Sequence, residues 1–285
     1  MEFNKEIEIK DKLYKLVKIQ RAGISAIYEG ELGFLRIGNK ERISKDLASH
    51  KKMQEYGFPV AKIIEEGAIG EIYYFIEESF GDKCFGLLFN EEIERDGVIS
   101  DETFDKFISI CVKFTEAQFK SIIKEEKWEE FEIGIHLDLV SEELPVDKDK
   151  ILKKWEKVKS NLKAFPFVVS HGDFTPFNIF PGGIIDLENS FYAPIGFDVG
   201  AIIEHLNWFP IPNDYEFYQL YKFTDKQRQK FCKIIDDIYT NNKYPGISSF
   251  LSDFDFAKGL WFVSKMDKTP KLQQFRFNLL REIIN

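Results

Sequence analysis

The stretch HGDFTPFNIFPGGIIDLENSFYAPIGFD, residues 171–198, decides how the chain is read. Asp173 is followed five residues on by Asn178, and Asn178 eight residues on by Asp186. A loop carboxylate can take the proton of an attacking hydroxyl, and oxygen ligands can hold Mg²⁺ against phosphates; phosphoryl transfer asks a protein for little further covalent chemistry. Mg²⁺ is a hard ion that takes one or two carboxylates and completes its shell with phosphate and water. One Asn and one Asp suit it. Val168 and Val169 close an apolar run, so Asp173 falls in a loop after a short extended segment. Pro176 keeps that loop from becoming a helix and biases Thr175 away from the α region. Residues 178–180 and 184–186 read as two short strands joined by Pro181-Gly182-Gly183, a hairpin that sets Asn178 beside Asp186.

HGDFTPFN resembles the catalytic loop of the aminoglycoside phosphotransferase and choline kinase group, which shares its fold with the protein kinases. His171, Asp173 and Asn178 keep the kinase spacing H-R-D-x-x-x-x-N. Asp186-Leu187-Glu188 is similar to the I-D-x-E segment of that group, and PIGFD, residues 194–198, to its later Pro-x-x-x-Asp element. Phe177 departs from the small or polar residue usual at its position. The resemblance implies an α+β, two-lobed protein-kinase-like fold, with a small antiparallel-sheet N-lobe and a larger, mostly helical C-lobe. ATP would lie between them. Asp173 would be the catalytic base, Asn178 and Asp186 the Mg²⁺ ligands, and His171 and Asp198 supports of the loop.

Working outward to the N-terminus, residues 1–80 are expected to form the nucleotide-binding lobe and residues 81–285 the catalytic and substrate lobe. Residues 26–28 and 34–37 read as strands around a turn at 29–33. The preceding loop, residues 21–25, holds Gly23 and Ser25, whose amides would cover the phosphates; a glycine there lets backbone approach the nucleotide. Residues 44–56 read as a helix capped by Ser44, and 60–64 and 72–76 as strands. By the resemblance, Arg36 stands where nucleotide kinases carry a strand Lys that contacts phosphates; choline and ethanolamine kinases are similar in placing Arg there. Asp46 is the helix acid expected to pair with it. Glu77 and Ser79 lie in the connection between the lobes, where backbone groups would meet adenine.

Beyond residue 81 the pattern is helical. Residues 101–122 carry Phe104, Phe107, Ile108, Cys111 and Phe119 near a 3.6-residue period after a Ser100 cap. Residues 147–162 are amphipathic, 199–207 form a helix broken at 208–212, and Thr224 with Gln227 makes a capping box. Two more helices are expected around Leu260 and Phe275.

With 285 residues, 44% of them hydrophobic, the chain can bury a large core. Its 29 phenylalanines read as core. A net charge of −9 argues against a nucleic-acid partner and is compatible with a cationic small-molecule hydroxyl substrate. No apolar run reaches the length of a membrane span. Three scattered cysteines and a charged start without a signal-peptide pattern fit a reducing cytoplasm. The acceptor stays open. Trp208, Phe209, Tyr215, Phe217, Tyr218, Trp261 and Phe262 could form a cation–π wall for choline or another amino alcohol, or pack helices. Glu204, Asp214 and Glu216 could meet an aminoglycoside. A reading of another class is a non-catalytic nucleotide-binding pseudokinase, against which the intact Asp173, Asn178 and Asp186 weigh.

Overall fold

The computed structural model describes residues 3–20, 23–204, 208, 220–264 and 270–285. The first elements are β1 (Glu6–Ile9), β2 (Lys12–Ile19), β3 (Ser25–Gly30), β4 (Gly33–Gly38), α1 (Lys40–Tyr56), β5 (Ile63–Ile69) and β6 (Ile72–Glu77). The six strands make one antiparallel sheet in the order β1-β2-β3-β4-β6-β5. Alternation along the strands turns Tyr14, Tyr28, Leu35, Ile37, Tyr74 and Ile76 into a separate apolar cluster.

Two boundaries differ from expectation. Helix α1 starts four residues before Ser44, because the side chain of Asn39 accepts the N–H of Arg42 at 2.9 Å; Asn caps as well as Ser. The strand expected at 60–64 begins only at Ile63, and Val60 instead bridges in parallel to Ile184.

The remainder is α2 (Phe85–Asp96), α3 (Asp101–Lys120), α4 (Trp128–Gly134), α5 (Leu137–Glu143), α6 (Lys148–Leu162), β7 (Phe167–Ser170), β8 (Ile179–Phe180), β9 (Gly183–Ile184), β10 (Phe191–Pro194), α7 (Phe197–Glu204), α8 (Asp225–Asn241), α9 (Leu251–Ser264) and α10 (Pro270–Ile284). The Ser100 cap and the Thr224–Gln227 capping box form as the sequence pattern predicts. The break expected at 208–212 lies, apart from Trp208, outside the described residues. Phenylalanine fills the helical core: Phe85, Phe89, Phe104, Phe107 and Phe223 meet ring to ring at 5.2–6.0 Å. Each such fully buried ring contributes roughly 1.5–3 kcal/mol. Cys111 is fully buried on that face of α3, and burial pushes its thiol well up. Among the described residues no helix is long and apolar enough to cross a membrane.

The two parts meet through backbone. Ile184 N–H donates to Pro59 C=O at 2.7 Å, joining the β8–β9 hairpin to the segment that follows α1. Strands β7 and β10 pair antiparallel, and Gln118 of α3 and Ser121, the residue that caps its C-terminus, bond Val169 of β7.

Candidate active site

Strand β7 delivers His171-Gly172-Asp173 at its C-terminal end. The turn is held by Asp198, in the first turn of α7 and 1% exposed. Its carboxylate accepts from Gln118 Nε2 at 2.8 Å, Ser170 Oγ at 3.0 Å, Gly172 N at 3.1 Å and His171 N at 3.3 Å. Burial raises its pKa, opposed by His171, Lys258 and Ser170. Gly172 has φ +78°, and a Cβ there would stand 2.2 Å from the carbonyl oxygen of Asn189; no other residue fits that turn.

His171 joins the loop to the hairpin. Its Nε2 lies 2.8 Å from Ile185 C=O, and its Nδ1 accepts the N–H of Asp173 at 3.2 Å. A carbonyl oxygen only accepts and an amide N–H only donates, so the imidazole that satisfies both carries its proton on Nε2. The hairpin of two-residue strands sets Asn178 beside the chain of Ile185: Ile185 N–H donates to Asn178 C=O at 3.0 Å. The amide nitrogen of Asn178 donates to Asp173 C=O at 2.8 Å, which fixes its side chain and leaves its oxygen as the atom a cation would take. Asp186 follows with φ +63°. Asp tolerates this left-handed conformation better than most residues, and strain of about 1–3 kcal/mol at such a position is typical of functional sites. Asp173, Asn178 and Asp186 are all partly exposed. Among the described residues no group of three or more His, Cys, Asp or Glu gathers for a metal. One carboxylate and one amide oxygen fit Mg²⁺, which would be completed by phosphate and water, and do not fit a softer ion.

Across from this hairpin, Arg36 sits in mid-β4 and is 14% exposed. Its Nε donates to Glu77 Oε1 at 2.7 Å. Desolvation opposes the charge, but Glu77 first, then Asp186 and Asp46, outweigh it and push its pKa up. The acid paired with Arg36 is therefore Glu77, at the end of the adjacent strand β6. Asp46, the expected partner, pairs within its own helix with Arg42 at 3.0 Å. The physical reason is competition: Arg42, one turn earlier on α1, holds the Asp46 carboxylate, while Glu77 on the adjacent strand takes Arg36. The next residue on that helix face is His50, whose Nδ1 stands 3.4 Å from Glu77 Oε2 while its Nε2 bonds Ala61 C=O at 2.6 Å. A small pocket between sheet and helix is lined by Arg36, Asp46, Ser49, His50 and Phe75. In the sequence His50 was visible only as a non-acid one turn beyond Asp46.

Gly23 adopts φ +63°, with open space where a Cβ would be. Arg21 and Ala22 lie outside the described residues. The Ser25 hydroxyl is buried and bonded to the Gln20 side chain, whose amide reaches Glu188 Oε2 at 3.2 Å. Arg42 bonds the same oxygen at 2.7 Å, so Glu188 ties the turn after Asp186 to α1 and to the loop before β3. Ser79 is exposed, its hydroxyl accepting the N–H of Gly81 at 3.1 Å, beyond the point where Glu78 N–H bonds Lys62 C=O. Phe177 packs its ring on Gly86 of α2, where a Cβ would be 2.7 Å away.

The described members of the aromatic wall, Trp208, Trp261 and Phe262, are buried; the Trp208 indole N–H donates to Asp255 at 2.8 Å, and Trp261 and Phe262 already face cations of the chain itself. Lys258 Nζ lies 3.9 Å from the Trp261 centroid, and Arg276 lies 5.1 Å from that of Phe262. Phe209, Tyr215, Phe217, Tyr218, Asp214 and Glu216, and the side chain of Glu204, lie outside the described residues.

A sheet with a buried strand cation, set against helices whose loop and hairpin present Asp, Asn and Asp, defines a two-lobed protein-kinase-like α+β fold. The model of the phosphotransferase enzyme family matches residues 113–229, the part that carries the loop and hairpin. In fold, the chain is similar to a choline/ethanolamine kinase family protein from Mesorhizobium loti, with TM-score 0.59 and 12% identity over 95% of this chain and 88% of that one. It is also similar to an aminoglycoside-3'-phosphotransferase of type VIII, with TM-score 0.50 and 12% identity over 91% and 94%. No curated protein sequence matches the chain.

Proposed function

We propose that this chain transfers the γ-phosphoryl group of ATP to a hydroxyl of a small molecule. The observation that carries the reading is the convergence of Asp173, Asn178 and Asp186 through His171, which bonds the backbone of Asp173 on one nitrogen and of Ile185 on the other. The acceptor hydroxyl gives its proton to the Asp173 carboxylate as its oxygen bonds the γ-phosphorus. The bond from that phosphorus to the bridging oxygen breaks, and ADP leaves with the electron pair. Asn178 and Asp186 would hold Mg²⁺, which supplies charge neutralisation on the phosphates. The terminal nitrogens of Arg36 carry no hydrogen bond among the described residues and would take phosphate oxygens, while amides near Gly23 and Ser25 cover them.

ATP should raise the thermal midpoint, and Mg²⁺ should enlarge that shift, since a ligand of the folded state stabilises it by mass action. Turnover is then screened over hydroxylated amines and sugars. A protein that shows no shift at millimolar ATP, with or without Mg²⁺, does not have this function. A shift without turnover on any acceptor would favour the nucleotide-binding pseudokinase.

A further inference from the structure

Lys258 lies on α9, far along the chain from the catalytic loop, and is 1% exposed. A buried ammonium is costly unless it is compensated. Its Nζ donates to the carbonyl oxygen of Gly172. The ring of Trp261 stands 3.9 Å from it, and those of Phe197 and Phe262 each 5.2 Å. Its charge also favours the ionised form of Asp198, which accepts the N–H of the same Gly172 at 3.1 Å. One residue of the loop is thus gripped at both ends, its N–H by a carboxylate and its C=O by an ammonium.

That carbonyl belongs to the peptide whose N–H is that of Asp173, the donor to His171 Nδ1. Gly172 has φ +78° and, being glycine, can reach other backbone conformations at little steric cost. A flip of the 172–173 peptide would turn the Asp173 N–H away from His171 and misaim the carboxylate. We propose that Lys258 is a positioning residue for the transfer: it locks the peptide that carries Asp173 against the flip that Gly172 permits. The proposal rests on the kinase reading above.

The test uses the full chain, with Lys258→Met and Lys258→Gln beside wild type. Removing the lock should lower kcat 10- to 100-fold, the scale on which small misplacements act, with KM for MgATP within twofold of wild type. In an Asp173→Asn background the same substitutions should change kcat less than twofold, because Lys258 acts only through Asp173. Equal losses in both backgrounds would mean a general structural role and overturn the proposal. Amide hydrogen exchange supplies a readout that needs no acceptor. Peptides covering residues 171–175 should exchange faster in both variants, while those of α3 keep wild-type rates. Unchanged exchange at 171–175 overturns the lock whatever the activity. An inactive wild type overturns the kinase reading instead, and the exchange data then judge Lys258 separately. Loss of the fold in Lys258→Met is met by Lys258→Gln with Asp198→Asn, which removes both buried charges together and is compared with wild type by the same exchange measurement.

Discussion

Two buried charge clusters, one beneath the loop at 171–173 and one on the sheet, are wired differently. Under the loop at 171–173, Asp198 and Lys258 bind backbone: three of the bonds just described end on the amides of His171 and Gly172 and the carbonyl of Gly172. Under the sheet, Arg36, Glu77 and His50 bind mainly one another. Charges that hold backbone fix where atoms are. Charges that hold one another fix how much charge is present and can be re-partnered when a phosphate arrives. On the function proposed above, the first arrangement would suit a base that must be aimed, the second a cation that must stay available.

The sharpest way to break this comparison is at Asp173. General-base catalysis is worth about 10²–10⁴-fold. Asp173→Asn keeps the size and a hydrogen-bonding oxygen but cannot take the proton, so kcat should fall by roughly that factor. ATP dissociation constant and fold should stay near wild type, because the aiming machinery is untouched. Kinetics and nucleotide titration on an identified acceptor check it; a near-wild-type kcat removes Asp173 from the mechanism.

Next comes the cluster beneath it. Asp198→Ala removes a buried carboxylate that acts on the Lys258 charge and strands two loop amides. Taking one partner out of a buried charged network typically costs about 3–5 kcal/mol. Urea unfolding should show a loss on that scale. A loss under about 1 kcal/mol would mean that the loop is held by packing and that the backbone wiring has little weight.

How much of this was legible follows the same division. The loop and hairpin were readable because the residues that matter, from His171 to Asp198, are close in sequence and their spacing sets their geometry. Lys258 was invisible: it meets Gly172 only through the packing of α9 on α7, and on a helix the residue type alone reads as a solvated charge. Glu77 was noticed for its backbone, as part of the connection after β6, while its side chain turned out to be the partner of Arg36. That pairing is set by the register of β4 against β6, where Arg36 faces Phe75 and Glu77 lies two residues on. Asp46 was the expected acid because it lies on the right helix, but register across a sheet overrode proximity along α1.

Arg36 gives the third test, smaller because on the proposed function ATP would keep its other contacts. Arg36→Ala should weaken ATP binding about 10- to 100-fold, and Arg36→Lys should keep part of the affinity, since Lys retains the charge and loses the fork that grips two phosphate oxygens. Glu77→Gln should weaken ATP less than Arg36→Ala, because the cation remains while its geometry loosens. Isothermal titration of all three decides it. Equal affinity in wild type and Arg36→Ala would place the phosphate contact elsewhere.

The smallest expected effect is the pH dependence that His50 contributes, and it asks which force rules the sheet cluster. Burial disfavours the imidazolium, while Glu77 favours it; burial is the larger, so the pKa of His50 is lowered. An unfolded histidine titrates near about 6.5. Below that pH the unfolded chain gains a proton that the folded chain resists, so stability falls with falling pH. The contribution of His50 is therefore complete above about pH 6.5 and is lost as pH drops through its lowered folded value. His50→Gln keeps an N–H donor for Ala61 and cannot titrate. The other three histidines of the chain are common to both proteins and cancel in the difference. Urea unfolding of wild type and His50→Gln at a series of pH values from 8 to 5 should show wild type ahead at the alkaline end and the gap closing toward the acid end. A gap that widens in acid would reverse the order of forces: His50 would then be charged against Glu77, and the sheet cluster would be an ion triad rather than an ion pair capped by a neutral ring.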